Sequence, residues 1–338
     1  MLFLVGVGGA GSKIVDSFYQ KNVVKKIIRR IQAKEQGDFV GIAVDTSENL
    51  KALSNIPPEN TVLIGKSRVK GHGTGVDVSL GKKIATEELG LVMNKLSRVV
   101  TEKPWAVVLF AGLGGGTGTG GFPVIAKKVK KVYKCKTLGV FVLPSSGEGR
   151  VYTKNAFENL DAVFSCVDGS IVVDNNVITD KGEDILSAHK IINRHIQSFF
   201  RMIDEGFLER CFNTQSTIGY SKLDSERTSI KDVIEKMLRD NVFLRFDMEK
   251  SKKMVFVARG NLDHLYAHDF AQGWAKNKFG VDLEYEFYDE AGARGVEAGL
   301  LIVGTKDLNG RFDDIREVES KEQASELDGL LKDIKSIF

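Results

Sequence analysis

The strongest constraint on this chain is a pair of glycine-rich segments, each placed directly after a short apolar run. Residues 2–7 break into Gly6-Val7-Gly8-Gly9-Ala10-Gly11, and residues 106–111 break into 112–121, with Gly114-Gly115-Gly116-Thr117-Gly118-Thr119-Gly120 at the centre. A strand that ends in glycines and resumes as a helix turns backbone amides and the helix's positive end toward one point, a layout suited to phosphate. The first segment alone, G-x-G-x-x-G, also fits a dinucleotide fold, with Asp45 at the end of the second apolar run where such folds hold a ribose. The second segment has no role in that fold. It lacks the lysine of a Walker loop, and G-x-x-x-x-G-K-[ST] occurs nowhere in the chain. Phosphates are therefore expected to be held by amides, dipoles and the two threonine hydroxyls, with their charge balanced by Mg²⁺ or another cation.

The organisation around these segments is that of an α/β protein. Apolar runs at 2–7, 39–44, 61–64, 106–111, 138–143 and 170–173 alternate with helix-like stretches, predicting a Rossmann-like, doubly wound parallel sheet. Ligands on such sheets bind beyond the carboxyl ends of the strands, where the glycine stretches 6–11, 71–75 and 112–121 all fall. From 183 to 203, Ile185, His189, Ile192, Ile196, Phe199 and Ile203 recur at helical spacing, predicting one long central helix. Beyond it, strand-like runs at 216–220, 254–258, 284–288 and 299–303, with helix-like stretches at 230–238 and 262–278, predict a smaller α+β domain. The expected division is a nucleotide domain at 1–183, the central helix and an acidic loop at 184–212, the α+β domain at 213–312, and a charged tail at 313–338. Leu327, Leu330, Leu331, Ile334 and Phe338 give that tail the spacing of a helix, docked on its own domain or presented to a partner or a membrane surface.

Composition narrows the function classes. Forty-eight basic and 45 acidic residues leave a net charge of +3, too balanced to make nucleic acid the expected partner. Lys127, Lys128, Lys130 and Lys131 read as a solvated helix face. Cys135, Cys166 and Cys211 have neither the number for a disulfide framework nor metal-ligand spacing, so a reduced cytoplasm and no protein-held zinc are expected. The apolar start is too short for a signal peptide, and no run reaches the roughly 20 residues of a membrane span, so direct membrane insertion is not expected.

The string GGGTGTG, following GVGGAGS in the first loop, resembles the hallmark of the tubulin and FtsZ superfamily, and the resemblance extends over nearly the whole chain. Gly71-His72-Gly73-Thr74-Gly75 looks like that family's third phosphate loop. The stretches 144–152 (PSSGEGRVY) and 216–220 (STIGY) are similar to the archaeal CetZ-type branch. The resemblance implies a GTP- and GDP-binding protein using Mg²⁺, whose subunits stack head to tail into a filament. It places Gly8, Gly9, Ala10, Gly11 and Ser12, Gly73 and Thr74, and Gly114, Gly115, Gly116, Thr117, Gly118 and Thr119 around the phosphates, with Asp45 on the phosphate and cation side. Glu148 would hold the ribose, and Arg150 would lie close to the nucleotide or pair at the surface. Guanine presents an O6 acceptor beside N1 and N2 donors, and asparagine offers both functions. Asn175 and Asn193 stand at the family's two base positions. His189, one turn before Asn193, replaces a tyrosine that stacks on the base.

Hydrolysis in that family uses an acidic loop after the central helix, presented to the neighbouring subunit's nucleotide. Here the loop reads Asp204-Glu205-Gly206-Phe207-Leu208-Glu209. Relatives carry acids at i and i+3. Asp204 fills the first position and Phe207 occupies the second, so either Glu205 or Glu209 substitutes, or turnover is weak. Three readings follow: a polymerising GTPase acting in cell shape or division, a nucleotide-binding scaffold with little hydrolysis, and, distantly, an NAD-dependent oxidoreductase.

Overall fold

The structure is a computed structural model, and it describes residues 2–20, 39–224, 229–245, 248–261, 273–290, 293–305 and 311. The expected tail at 313–338 lies outside the described residues, as does most of the stretch at 262–278. Ten strands form one sheet: β1 (Phe3–Val7), β2 (Val40–Asp45), β3 (Thr61–Leu63), β4 (Ala106–Gly112), β5 (Lys136–Leu143), β6 (Gly169–Asp174), β7 (Gln215–Leu223), β8 (Lys253–Gly260), β9 (Leu283–Asp289) and β10 (Val296–Val303). Their spatial order is β3-β2-β1-β4-β5-β6-β7-β10-β8-β9. All pairs from β3 to β7 are parallel, while β10 runs antiparallel to both β7 and β8. Each run expected to be a strand lies in this sheet. The sequence did not show that the sheet is continuous, because β6 and β7 meet over just two residue pairs, Ser170 with Gln215 and Ile171 with Ser216.

The strands alternate between two cores, as a pleat requires. Leu4 of β1 and Val108 and Phe110 of β4 face one side, packed with Ile14, Val15 and Phe18 of α1 (Gly8–Phe18). Phe3, Val5 and Val7, with Val107 and Leu109, face the other side. There they meet α2 (Val78–Glu87), α3 (Leu89–Val99), α4 (Phe122–Tyr133) and α5 (Arg150–Phe164). With both faces covered, strands such as β1 and β4 have no polar side, which explains their uninterrupted apolar sequence.

The long helix α6 (Ile185–Met202) starts where expected, capped by Asp184, whose carboxylate accepts from the Leu186 and Ser187 amides. Its apolar stripe lies on the α1 side and continues past the seam. Phe199 and Phe200 share one core with Ile218 and Tyr220 of β7, Val255 and Val257 of β8, and Leu301 of β10. A third cluster, on the opposite face of β8 and β10, is closed by α8 (Ile230–Asp240). Between them lies α7 (Glu205–Glu209). No helix among the described residues is long and apolar enough to cross a membrane.

Candidate nucleotide site

The order β3-β2-β1-β4-β5-β6 reverses direction between β1 and β4, and an open parallel sheet leaves a crevice at that switch point. The two glycine segments leave the sheet at these two strands. Helix α1 begins at Gly8 without a side-chain cap, and a π-helical turn, Thr117–Gly121, opens α4, also without one. Two sets of unsatisfied helix N–H groups therefore open side by side into the crevice. The loops touch: Gly8 has φ +73°, and a Cβ there would stand 2.7 Å from the Gly118 nitrogen. A Cβ on Gly118 would in turn stand 2.4 Å from the Gly112 carbonyl oxygen. Only glycine permits that approach. Gly9, Ala10 and Gly115 remain the accessible members of the two loops.

Two further segments, 45–47 and 73–75, close around them. Thr117, Thr46 and Thr74 bring their hydroxyls together, with Thr117 Oγ1 lying 2.7 Å from Thr46 Oγ1 and 3.3 Å from Thr74 Oγ1. The 71–75 loop is held to the turn after β2 by Gly73 N–H donating to the Thr46 carbonyl, and to the 112–121 segment by Gly116 N–H donating to the Gly75 carbonyl. Asp45, at the end of β2, is buried, and one carboxylate oxygen accepts from the Thr46 amide at 2.7 Å. Burial pushes its carboxyl above the usual range, against the pull of the Thr46 and Ser47 amides and the Thr117 hydroxyl. Ser12 is buried on α1, with its hydroxyl directed at the Val44 carbonyl. Thr119 differs from its expected role. The residue is 1% exposed and its hydroxyl accepts from the Gly114 amide at 2.7 Å, so it braces the loop from within.

A second polar cluster lies at the carboxyl ends of β5 and β6, where α6 begins. One oxygen of Glu148 accepts from the Ser145 amide at 2.8 Å and from Asn175 Nδ2 at 3.1 Å, and lies 3.2 Å from His189 Nε2. Burial pushes this carboxyl up, but His189, the Ser145 amide and Asn175 together outweigh it and hold Glu148 below its ordinary range. Asn175 is buried, and its Oδ1 accepts no hydrogen bond among the described residues. Asn193 follows one turn after His189 and is half-buried, while Arg150 opens α5 on the exposed side. The structure thus brings Glu148, Asn175 and His189 into one cluster, with His189 engaged by Glu148.

Sequence reasoning missed three members of this region. Thr46 is fully buried between Asp45 and Thr117. Asn176 clasps Ser146 with both ends of its amide. Ser145 supplies the amide that Glu148 reaches back to, and Ser145-x-x-Glu148 is a legible capping-box spacing that was available to the reader.

The acidic loop sits at the other end of α6. That helix has 18 residues, which at 1.5 Å per residue is about 27 Å. Its last turn is tied to the end of α1, with Arg201 donating to the Phe18 carbonyl at 2.8 Å. Asp204 caps α7 by accepting from the Phe207 amide at 2.8 Å, and both Asp204 and Glu205 are exposed. Phe207 is fully buried with its ring centroid 5.9 Å from that of Phe199, so the position expected to hold a second acid belongs to the core. Glu209 is paired with Lys136, the first residue of β5, at 2.7 Å. No cluster of three or more His, Cys, Asp or Glu side chains able to hold a metal ion occurs among the described residues.

Comparison with known proteins agrees with this architecture. The family model for the GTPase domain of the tubulin/FtsZ family matches residues 1–182. The tubulin-like protein CetZ1 of Haloferax volcanii is 28% identical, over 91% of this chain and 89% of its own length. The tubulin-like protein CetZ of Pyrococcus furiosus is 30% identical, over 89% of this chain and 84% of its own. Among solved structures, the GDP-bound CetZ1 monomer superposes with a TM-score of 0.80 at 29% identity, covering 95% of this chain and 99% of that one. CetZ2 of the same organism, a GTPγS-bound protofilament, superposes with a TM-score of 0.76 at 24% identity, covering the same shares. With a switch-point crevice lined by two uncapped glycine loops, and with family and fold matches spanning the chain, the protein belongs to the tubulin/FtsZ family of GTPases.

Proposed function

We propose that this protein binds GTP and GDP in the switch-point crevice, polymerises head to tail, and hydrolyses GTP at the junction between subunits. The observation that carries the reading is the separation of the two halves of the chemistry. The amide-rich crevice and the Glu148–Asn175–His189 cluster lie at one end of α6, and the exposed carboxylates Asp204 and Glu205 lie about 27 Å away at the other. One rigid helix cannot bring its own two ends together, so a carboxylate reaches the terminal phosphate when a second copy supplies it. Docking then provides the water-positioning group, which ties turnover to assembly.

In this reading the amides of Gly8 to Ser12 and of Gly115, Thr117 and Gly118, with the Thr74 and Thr117 hydroxyls, bind the phosphates, while the Gly114 and Gly116 amides brace the loop on Thr119 and Gly75. Glu148 takes the ribose hydroxyls, and Asn175, Asn193 and His189 surround the base. The unpartnered Asn175 Oδ1 is a buried acceptor suited to the N–H donors of guanine. Asp45 and the neighbouring threonine hydroxyls are hard oxygen donors that fit Mg²⁺ beside nucleotide phosphates, and the ion would supply charge neutralisation there. The three acids Asp204, Glu205 and Glu209 are the candidates for hydrolysis, all on the exposed side of this loop, with Glu209 also paired to Lys136. The core position of Phe207 favours a second reading in which hydrolysis is slow and the filament is a nucleotide-gated scaffold in the cytoplasm, used for cell shape or division.

The test is light scattering and phosphate release, followed together with Mg²⁺ and GTP over a range of protein concentrations. Specific hydrolysis that rises with scattering above a threshold concentration is expected, and Asp204→Ala should keep GDP binding while slowing release. Phosphate release that is independent of protein concentration would overturn the shared-site reading. Scattering without release would select the scaffold.

A further inference from the structure

Arg311 is a residue for which the nucleotide chemistry so far has no use, yet it is anchored at the nucleotide end of the sheet. It lies beyond β10 in sequence and returns 137 residues to Asp174. Asp174 ends β6 and is 3% exposed, and Arg311 Nε donates to its Oδ2 at 2.6 Å. A second guanidinium nitrogen, Nη2, donates to the Pro144 carbonyl at 2.5 Å. Pro144 directly follows β5, and Leu143 pairs with Asp174 in the sheet. One planar group therefore joins the ends of two adjacent strands at the point where each gives way to a loop.

Those two loops carry Glu148 and Asn175. They are stitched together above Arg311 by Asn175 Nδ2 donating to Glu148, by Asn175 N–H donating to the Leu143 carbonyl, and by Asn176 on Ser146. The other Asp174 oxygen, Oδ1, accepts from the Asn176 amide at 3.0 Å, so this carboxylate also sets the start of the second loop. The Asp174 amide is fixed in turn by the Phe243 carbonyl. Burial pushes the Asp174 carboxyl up, and Arg311 is the counter-charge that opposes this. Truncating one member of so buried a pair leaves a charge without compensation, and the backbone it organised is released.

We propose that Arg311 is a positioning residue for nucleotide-base recognition: by bridging Asp174 and the Pro144 carbonyl, it holds the Glu148 and Asn175 loops at the spacing a guanine nucleoside requires. The inference rests on the proposed placement of the base at that corner. It makes a residue from beyond β10 part of the support of the nucleotide site. Base discrimination and Arg311 docking are then linked, each favouring the other.

The experiment is titration of full-length protein with fluorescent GDP and ADP in the wild type, Arg311→Gln, Arg311→Lys and the double variant Arg311→Gln/Asp174→Asn. Asp174→Asn in the double variant removes the unpaired buried carboxylate, so that variant remains testable if Arg311→Gln alone does not fold. The expected result is a loss of GDP affinity of about 10- to 100-fold in Arg311→Gln with a much smaller loss for ADP, so the preference for guanine collapses. Arg311→Lys should recover part of the preference, and the double variant should be no worse than Arg311→Gln, because its two changes act on one interaction. An equal loss for GDP and ADP, or a guanine preference within twofold of wild type, overturns the role of Arg311. A wild-type protein with no preference for GDP over ADP overturns the base-corner reading itself and the inference with it.

Discussion

The two ends of α6 are built on opposite plans. At its start, Glu148, Asn175 and His189 come from three different elements and are held by a mutual hydrogen-bond network, partly sheltered from water. At its end, Asp204 and Glu205 face solvent, while the inward side of the same loop is aromatic, with Phe207 against Phe199. One end is a pre-formed, half-sheltered polar cluster. The other presents charge on a rigid apolar support, suited to meeting something that arrives from outside. Under the proposed function, the difference is that of one helix joining a binding site to a catalytic loop that meets it only in a stacked neighbour.

The sharpest way to break this comparison is to place an acid at the position where the sequence led one to be expected. Phe207→Asp should cost at least about 4 kcal/mol, since it deletes a fully buried ring and buries a charge, and urea denaturation would show it. A Phe207→Asp protein as stable as the parent would mean that the acidic end has no aromatic support. At the phosphate loops, Gly118→Ala should cost about 3 kcal/mol and abolish GDP binding, because its Cβ would stand 2.4 Å from a backbone oxygen. Gly115→Ala meets nothing within 4 Å and should stay within about 0.5 kcal/mol in thermal unfolding. Equal costs at both glycines would contradict the packed-loop description.

Between the two ends lies His195, its ring 5.1 Å from Phe243 and 5.4 Å from Tyr220, with Nδ1 buried and unpartnered among the described residues. Burial, helped by Arg194, pushes its pKa down to about 4 from an ordinary 6.5. The unfolded chain takes up a proton as pH falls below 6.5, whereas the folded chain resists until about pH 4. Stability should therefore decline across that window, by about 2–3 kcal/mol, and His195→Phe should flatten the slope in denaturation at pH 7.5 and 5. Glu148 shows the usual carboxylate sign. Its folded value is depressed, so its contribution is present above pH 4.5 and is lost as pH falls through the folded value. Glu148→Gln should show a shallower acid limb below pH 4.5 than the parent, and a steeper one would reverse the sign argued here. The smallest effect belongs to the exposed Lys136–Glu209 pair. Lys136→Ala should change unfolding free energy by less than about 0.5 kcal/mol, with any change fading in high salt.

Much of the molecule was legible before folding was considered. The parallel strands are continuous apolar runs because both their faces are covered, and the long helix shows its buried stripe from Ile192 to Phe199. The two touching glycine loops were legible because close backbone approach admits only glycine, and such positions leave a literal trace. Phe207 was not legible as a core residue. A phenylalanine between Asp204 and Glu209 looks like a missing acid until α7 is seen to turn it onto Phe199. Thr119 was assigned to ligand by residue type, whereas its hydroxyl is taken up by the Gly114 amide. A hydroxyl's partner depends on rotamer and neighbours, which spacing does not encode.

What the sequence determined by itself was therefore the set of elements, their apolar faces and the loops where only glycine fits, since these follow from local sterics and the periodicity of burial. The tertiary structure alone decided which distant residues meet. It continued one sheet from β6 into β7 through two residue pairs, carried Arg311 back to Asp174 across 137 residues, and placed the carboxylates a helix length from the crevice. Such contacts depend on how the chain closes in three dimensions, and a paired arginine and a solvated one are the same letter in the sequence.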